Sequence, residues 1–238
     1  MLFSWSLRRQ FIVFAILVLL VLGSVGGVAY YFWQKFYNPR PTGPDVVAEA
    51  RDLVILWSRV FPVREGIVDV AVFVENPNDT VRSSSFVYSM KLYDAKNILV
   101  AVRDGSTFVN PRERFLVFEP LIVVQKSVPT RAILTIREVQ WEASPVEPVL
   151  GISVLRTTRF LEDVAPRLEA VVQNQSGNTI QNIEASAVLW NASDEAVGVS
   201  RTVVDSIVNE EEKNLVFTWP ESISGVERAE ILLRRIPR

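Results

Sequence analysis

Neither cysteine nor histidine occurs anywhere in the 238 residues. Without histidine the chain lacks the side chain best suited to proton transfer near neutral pH, and without cysteine it lacks every thiolate nucleophile. Cysteine proteases, Ser/His/Asp triads and the usual zinc sites are excluded, together with disulfide frameworks. An exported domain of this composition is held by its apolar core alone. Glycine is scarce, with 10 residues, and none builds a phosphate-cradling loop. No acidic pair stands out for general acid–base work. The residues therefore predict no enzyme, no catalytic residue, no cofactor, no metal site and no small-molecule substrate. A surplus of one charge sign is missing too: 25 basic against 27 acidic residues leave a net charge of −2. That balance does not neutralise phosphates, so nucleic acid is not an expected partner.

Apolar residues are abundant, at 49% of the chain, enough for one large domain or two ordinary ones, each able to bury a core. The longest uncharged run, Phe11 to Trp33 (FIVFAILVLLVLGSVGGVAYYFW), is long enough as a helix to cross a hydrocarbon core of about 30 Å. It predicts a transmembrane helix over 11–33, after a short cytoplasmic N-terminus over 1–10. Arg8 and Arg9 precede the run, and Tyr30, Tyr31 and Trp33 close it at headgroup level. The lipid bilayer is thus one partner, with the N-terminus inside the cytoplasmic membrane and the remainder outside it. Lys35 and Arg40 on the far side weaken the charge asymmetry, and Gly27-Val28-Ala29 leaves a cleaved signal peptide as the alternative. The prolines of NPRPTGP (Asn38 to Pro44) stiffen a juxtamembrane spacer over 34–48.

Beyond the spacer, period-two alternation rich in Val, Ile, Phe and Thr predicts strands and a mainly β protein. A first series runs over 49–143, a proline-flanked linker occupies 144–149, and a second series fills 150–238. The two align in order: VDVAVFVENPND (Val68 to Asp79) with PRLEAVVQNQSG (Pro166 to Gly177), and SMKLYDAKNILVA (Ser89 to Ala101) with SAVLWNASDEAVG (Ser186 to Gly198). A third pair, NPRERFLVFEP from Asn110 and NEEEKNLVFTWP from Asn209, follows at nearly the same offset, with Phe115 and Val117, and then Leu215 and Phe217, directed into the cores. Three ordered matches at a nearly constant offset predict a tandem duplication of antiparallel β-sandwiches. Asp104-Gly105 reads as a turn.

In the first copy, Asn76-Pro77-Asn78 followed by Leu92-Tyr93-Asp94 resembles the late-embryogenesis-abundant type 2 domain, also called the water stress and hypersensitive response domain. In the second, Leu189-Trp190-Asn191 is similar to the LYD strand of the bacterial FxLYD domain, with Trp and Asn in place of Tyr and Asp. A helix placed before such a pair is similar to bacterial envelope proteins. Both resemblances imply an immunoglobulin-like sandwich and neither implies a catalytic residue. The expected role is that of an envelope module that binds another envelope protein or itself; the alternative, implied by the first family, is lipid or hydrophobic-ligand handling or stress protection.

Other features read as structural. Glu210-Glu211-Glu212 alternates faces in a hairpin and does not converge on a cation. Asn78, Asn174 and Asn191 begin glycosylation triplets, yet each falls in a turn. Of Trp57, Trp141, Trp190 and Trp219, any on an outward face would be a binding anchor, and Trp141 is placed to pack the two domains together. Arg234, Arg235 and Arg238 read as solubilising charges at a chain end.

Overall fold

The computed structural model describes residues 26–27, 47, 49–124, 127–144, 150–160 and 166–237. The predicted membrane helix, apart from Gly26 and Gly27, lies outside them, and so do Arg8, Arg9, Tyr30, Tyr31, Trp33 and residues 145–149 of the linker. Among the described residues no helix is long and apolar enough to cross a membrane. The chain divides into two compact units, Met1–Asp45 and Val46–Arg238, and the second carries all the strands described below.

The first half contributes β1 (Val54–Arg64), β2 (Ile67–Glu75), β3 (Val81–Tyr93), β4 (Leu99–Val109), β5 (Arg114–Val123), β6 (Arg131–Val139) and the short β7 (Glu142–Ala143). The second contributes β8 (Ile152–Phe160), β9 (Arg167–Asn174), β10 (Ile180–Trp190), β11 (Ala196–Ile207), β12 (Glu212–Thr218) and β13 (Arg228–Arg235). Every pairing is antiparallel. Sheets β1-β2-β5 and β4-β3-β6 form one sandwich, with β7 attached to β3; sheets β12-β9-β8 and β11-β10-β13 repeat the order in a second.

The sequence pattern explains the two interiors. Val68, Val70, Val72 and Val74 of β2 meet Phe86, Tyr88, Met90 and Leu92 of β3 in the first core. In the second, Leu168, Ala170 and Val172 of β9 meet Ile183, Ala185, Ala187 and Leu189 of β10. Phe115 and Val117 face the first core, and Leu215 and Phe217 the second, as the alternation predicts. The shared letters Leu-Val-Phe nevertheless occupy opposite faces. Ala71 is opposite Phe118 and Val72 opposite Val117, whereas Ala170 is opposite Leu215. A one-residue slip therefore turns Val117 inward and leaves Val216 exposed.

The duplication is clearest in the turns. The Asn76 side chain donates to the carbonyls of Val81 (3.2 Å) and Asn110 (2.8 Å) and accepts from Asn78 N (3.0 Å). Asn174 donates to Asn178 and Ile207 (2.7 and 2.8 Å) and accepts from Ser176 N (3.0 Å). One Asp94 oxygen accepts from Lys96 N and Ile98 N, both at 2.9 Å; one Asn191 oxygen accepts from Ser193 N and Glu195 N, also at 2.9 Å. The Asp-to-Asn difference between copies keeps the acceptor that the turn needs. Bulges fall between Ile55 and Trp57 in β1 and between Val154 and Arg156 in β8, the matching place in each copy.

One expected turn is a strand. Asp104 and Gly105 lie within β4, with Gly105 directly opposite Tyr88. The tyrosine lies over the missing side chain: a Cβ on Gly105 would fall 2.4 Å from its hydroxyl and 2.5 Å from its ring. Gly105→Ala is expected to lower stability by about 1–3 kcal/mol through overpacking, and the matched Tyr88→Leu background should remove most of that loss in urea titrations.

Candidate functional site at the seam of the two sandwiches

Strands β2 and β10 are apolar on both faces, which a free sandwich with a solvated outer surface does not require. In β2 every residue from Val68 to Val74 is buried, and seven of the last eight residues of β10 are apolar or small (IEASAVLW), all eight of them buried. Their outer faces meet. Phe61, Ala71, Phe73, Leu116 and Phe118 of the first sandwich pack against Val188, Trp190, Ala196 and Val199 of the second, in a third core. The four sheets thus stack with β1-β2-β5 and β11-β10-β13 as the inner pair. Trp57 packs on Phe73 at 5.6 Å and edge-on to Trp190 at 6.0 Å between centroids, a favourable aromatic geometry.

Charge is buried beside this core. Arg234 of β13 is 5% exposed, donates to the carbonyl of Phe108 at 2.5 Å, and lies 3.6 Å from the Phe108 ring centroid and 4.5 Å from that of Phe115. Glu113 lies 3.4 Å away and Glu184 3.8 Å. Burial pushes the Glu113 carboxyl up against the opposing pull of Arg234, and burial likewise pulls the Arg234 guanidinium down. Arg234 is therefore no solubilising terminal charge. It is inserted from the second sandwich between two phenylalanines of the first, where only a paired cation is tolerated. Across the same seam Arg59 reaches Glu195 at 2.9 Å, and Asn110 donates to the Arg235 carbonyl at 3.1 Å.

A groove opens along one side of the seam. One part, of about 390 Å³, is bounded by Phe118, Pro120, Leu121, Arg201 and Pro220. An adjoining cleft of about 50 Å³ lies among Phe61, Pro62, Gly198, Trp219, Glu221 and Ile223. Asp69 lines both. It sits where a bulge interrupts the β2–β5 ladder, and its Oδ1 accepts the Leu121 N–H at 2.7 Å, which fixes Leu121 at φ 54°. Asp69 is 7% exposed. Burial raises its pKa above the ordinary aspartate range, opposed by the Leu121 N–H. A carboxyl raised in this way stabilises the fold in its protonated form, a contribution complete at acid pH and lost as pH rises through the raised pKa. Asp69→Asn keeps the acceptor and removes the charge. Its stability relative to the wild type should therefore increase from acid to neutral pH in parallel urea titrations, and a flat difference would contradict the assignment.

Near the groove, Tyr88 Oη donates to Glu119 at 2.5 Å, and burial, reinforced by that carboxylate, pushes the phenol up.

The residues singled out by sequence fall in three places. Asn76, Pro77 and Asn78 form a turn against the start of the first sandwich: Asn78 exchanges hydrogen bonds with the Arg51 backbone, and the Arg51 guanidinium reaches the Pro77 carbonyl. Leu92 and Leu189 are core residues. Tyr93 carries Arg131 over its ring at 5.3 Å, and Trp190 carries Arg228 at 4.5 Å and donates to Glu230 at 3.1 Å. Of these motif residues Trp190 belongs to the seam, together with Trp57 and Arg234. Trp219 is a core residue, and Trp141 packs on the first core, not on the second sandwich. Asn78 and Asn174, 7% and 0% exposed, are committed to their turns, so they do not serve as glycan acceptors in the folded protein. Glu211 accepts from Val208 N at 2.7 Å, as Glu113 does from Asn110 N at 2.9 Å. Among the described residues no group of acidic side chains is placed to hold a metal ion. Asp69, Glu113 and Glu184 were missed. Asp69 and Glu184 signal themselves only as a charge within an otherwise apolar strand, as in VDV and IEA, and Glu113 is hidden among the charges of the turn before β5.

No protein-family model matches the chain, and no curated protein is similar to it. Among the described residues the fold and the seam define a mainly β protein of antiparallel sandwich architecture with two repeated halves joined face to face.

Proposed function

We propose that the chain is a single-pass protein of the bacterial cytoplasmic membrane that presents two immunoglobulin-like sandwiches outside it, as a non-enzymatic module for protein–protein interaction or structural assembly. The seam carries this reading. Trp57, Phe61, Phe73, Phe118 and Trp190 join the sandwiches to each other, which yields one body with a groove lined by both halves. Support for the anchor is the uncharged run over 11–33, and support for the two family resemblances is the pair of Asn-capped turns at Asn76 and Asn174. Crosslinking in intact cells of the native host, followed by detergent extraction and purification through a C-terminal tag, is expected to recover one envelope partner in near-stoichiometric yield. Recovery of the chain alone would count against the reading.

One observation favours the lipid-handling alternative. A cleft of about 340 Å³ lies between the start of β1 and the end of β6, where Leu53, Ile55, Ile136, Val139 and Trp141 meet Asp52 and Arg137. Mass spectrometry of solvent extracts from the purified chain tests it, since a single co-purifying lipid species at stoichiometric amount would favour that role.

A further inference from the structure

We propose that the small cleft at the seam recognises the guanidinium or ammonium head of a basic side chain on a partner protein. Asp69 lines it as a carboxylate with no lysine or arginine of the described residues in ion-pair distance. Buried charges are ordinarily paired, and here the missing partner is a cation. Glu221, exposed at the rim, adds a second negative charge, and no basic residue lines this cleft. Phe61 and Trp219 are among its lining residues, and a desolvated cation gains from aromatic neighbours. Its volume of about 50 Å³ holds about four waters. That suits the head of a side chain and is too small for a metabolite.

The space is built by glycine. A Cβ on Gly198 would fall 2.6 Å from Ile223 Cδ1 and 3.2 Å from Trp219 Nε1, so any side chain there drives those walls into the cleft. Trp219 is itself held by a hydrogen bond from its indole to the Val199 carbonyl at 3.0 Å. The larger groove beside the cleft, bordered by Pro120, Leu121 and Pro220, then takes the backbone that carries the basic residue. Its own cation, Arg201, lies 3.7 Å from Glu184, so the basic side chain enters on the Glu221 side.

The inference deepens the assembly reading by naming what a partner inserts, yet its test needs no partner. The full chain in non-ionic detergent, labelled with 5-fluorotryptophan, is titrated with N-acetyl-arginine amide while the Trp219 resonance is followed by fluorine NMR. A saturable shift is expected. Asp69→Asn should weaken binding by about 10- to 100-fold, as loss of a charge-assisted hydrogen bond does, and Glu221→Gln should weaken it less. Neutral N-acetyl-citrulline amide should not bind. No saturable shift, an equal shift with citrulline, or binding unchanged in both variants would overturn the proposal. Should Asp69→Asn fail to fold, the exposed Glu221→Gln and the citrulline control still decide. Failure to find an envelope partner in the host leaves this result untouched, and the reverse holds as well.

Discussion

Arg234→Ala is expected to lower the unfolding free energy by about 3–5 kcal/mol, the range for breaking a buried ion pair from one side. The loss comes mainly from what stays behind. Glu113 and Glu184 remain at the seam without their cation, and the rings of Phe108 and Phe115 lose the guanidinium between them. Three readouts separate this from ordinary truncation. The defect should shrink as pH falls, because a protonated Glu113 no longer needs the cation. It should respond little to salt, since both side chains are nearly inaccessible to counterions. The triple variant Arg234→Met, Glu113→Gln, Glu184→Gln should recover most of the loss, because removing all the charges removes the desolvation cost with them. Equal defects at acid and neutral pH would assign the effect to packing alone.

Asn174→Ala should cost about 3 kcal/mol, and Asn76→Ala nearly as much, because each strands several buried backbone groups at once. Asn174 is fully buried, and its amide holds two carbonyls while its oxygen takes an N–H. Leucine does no better than alanine here, since volume is not what is lost. Asn174→Asp should be worse than either: an ionised carboxylate faces two carbonyl oxygens with no donor of its own. Asn191→Ala, at a more exposed turn, should cost less than half as much, since water replaces the lost acceptor there. Urea titrations of the five purified variants give these values, and a small effect at Asn174 would mean that the turn re-forms around a water.

Much of the fold was legible because β-structure with one wet face writes itself as alternation. It shows in β9 and β12, where buried and more exposed positions alternate, and the repeated Asn turns mark the halves. The seam was less legible for a physical reason. The continuous apolar runs VDVAVFVE and IEASAVLW show that a strand is buried on both sides, but they do not say by what. Gly105 was misread as a turn since a glycine before a polar residue usually makes one, whereas here a tyrosine from the neighbouring strand needs the space. The chain end showed only three arginines, and that Arg234 is inserted between two phenylalanines depends on β13 packing against the β4–β5 turn, a contact more than a hundred residues distant in sequence. Asp69 gave no sign beyond one charge among valines, because the bulge it ties is made by Pro120 and Leu121 on another strand.

The central claim is that the two sandwiches are welded into one body by the face they share. Equilibrium unfolding of the full chain in detergent, followed at Trp141 for the first sandwich and at Trp219 for the second, tests it most directly. Coincident transitions are predicted for the wild type, with the two separating in Arg234→Ala. Separate transitions in the wild type, with the second sandwich unfolding while the first stays native, would contradict it.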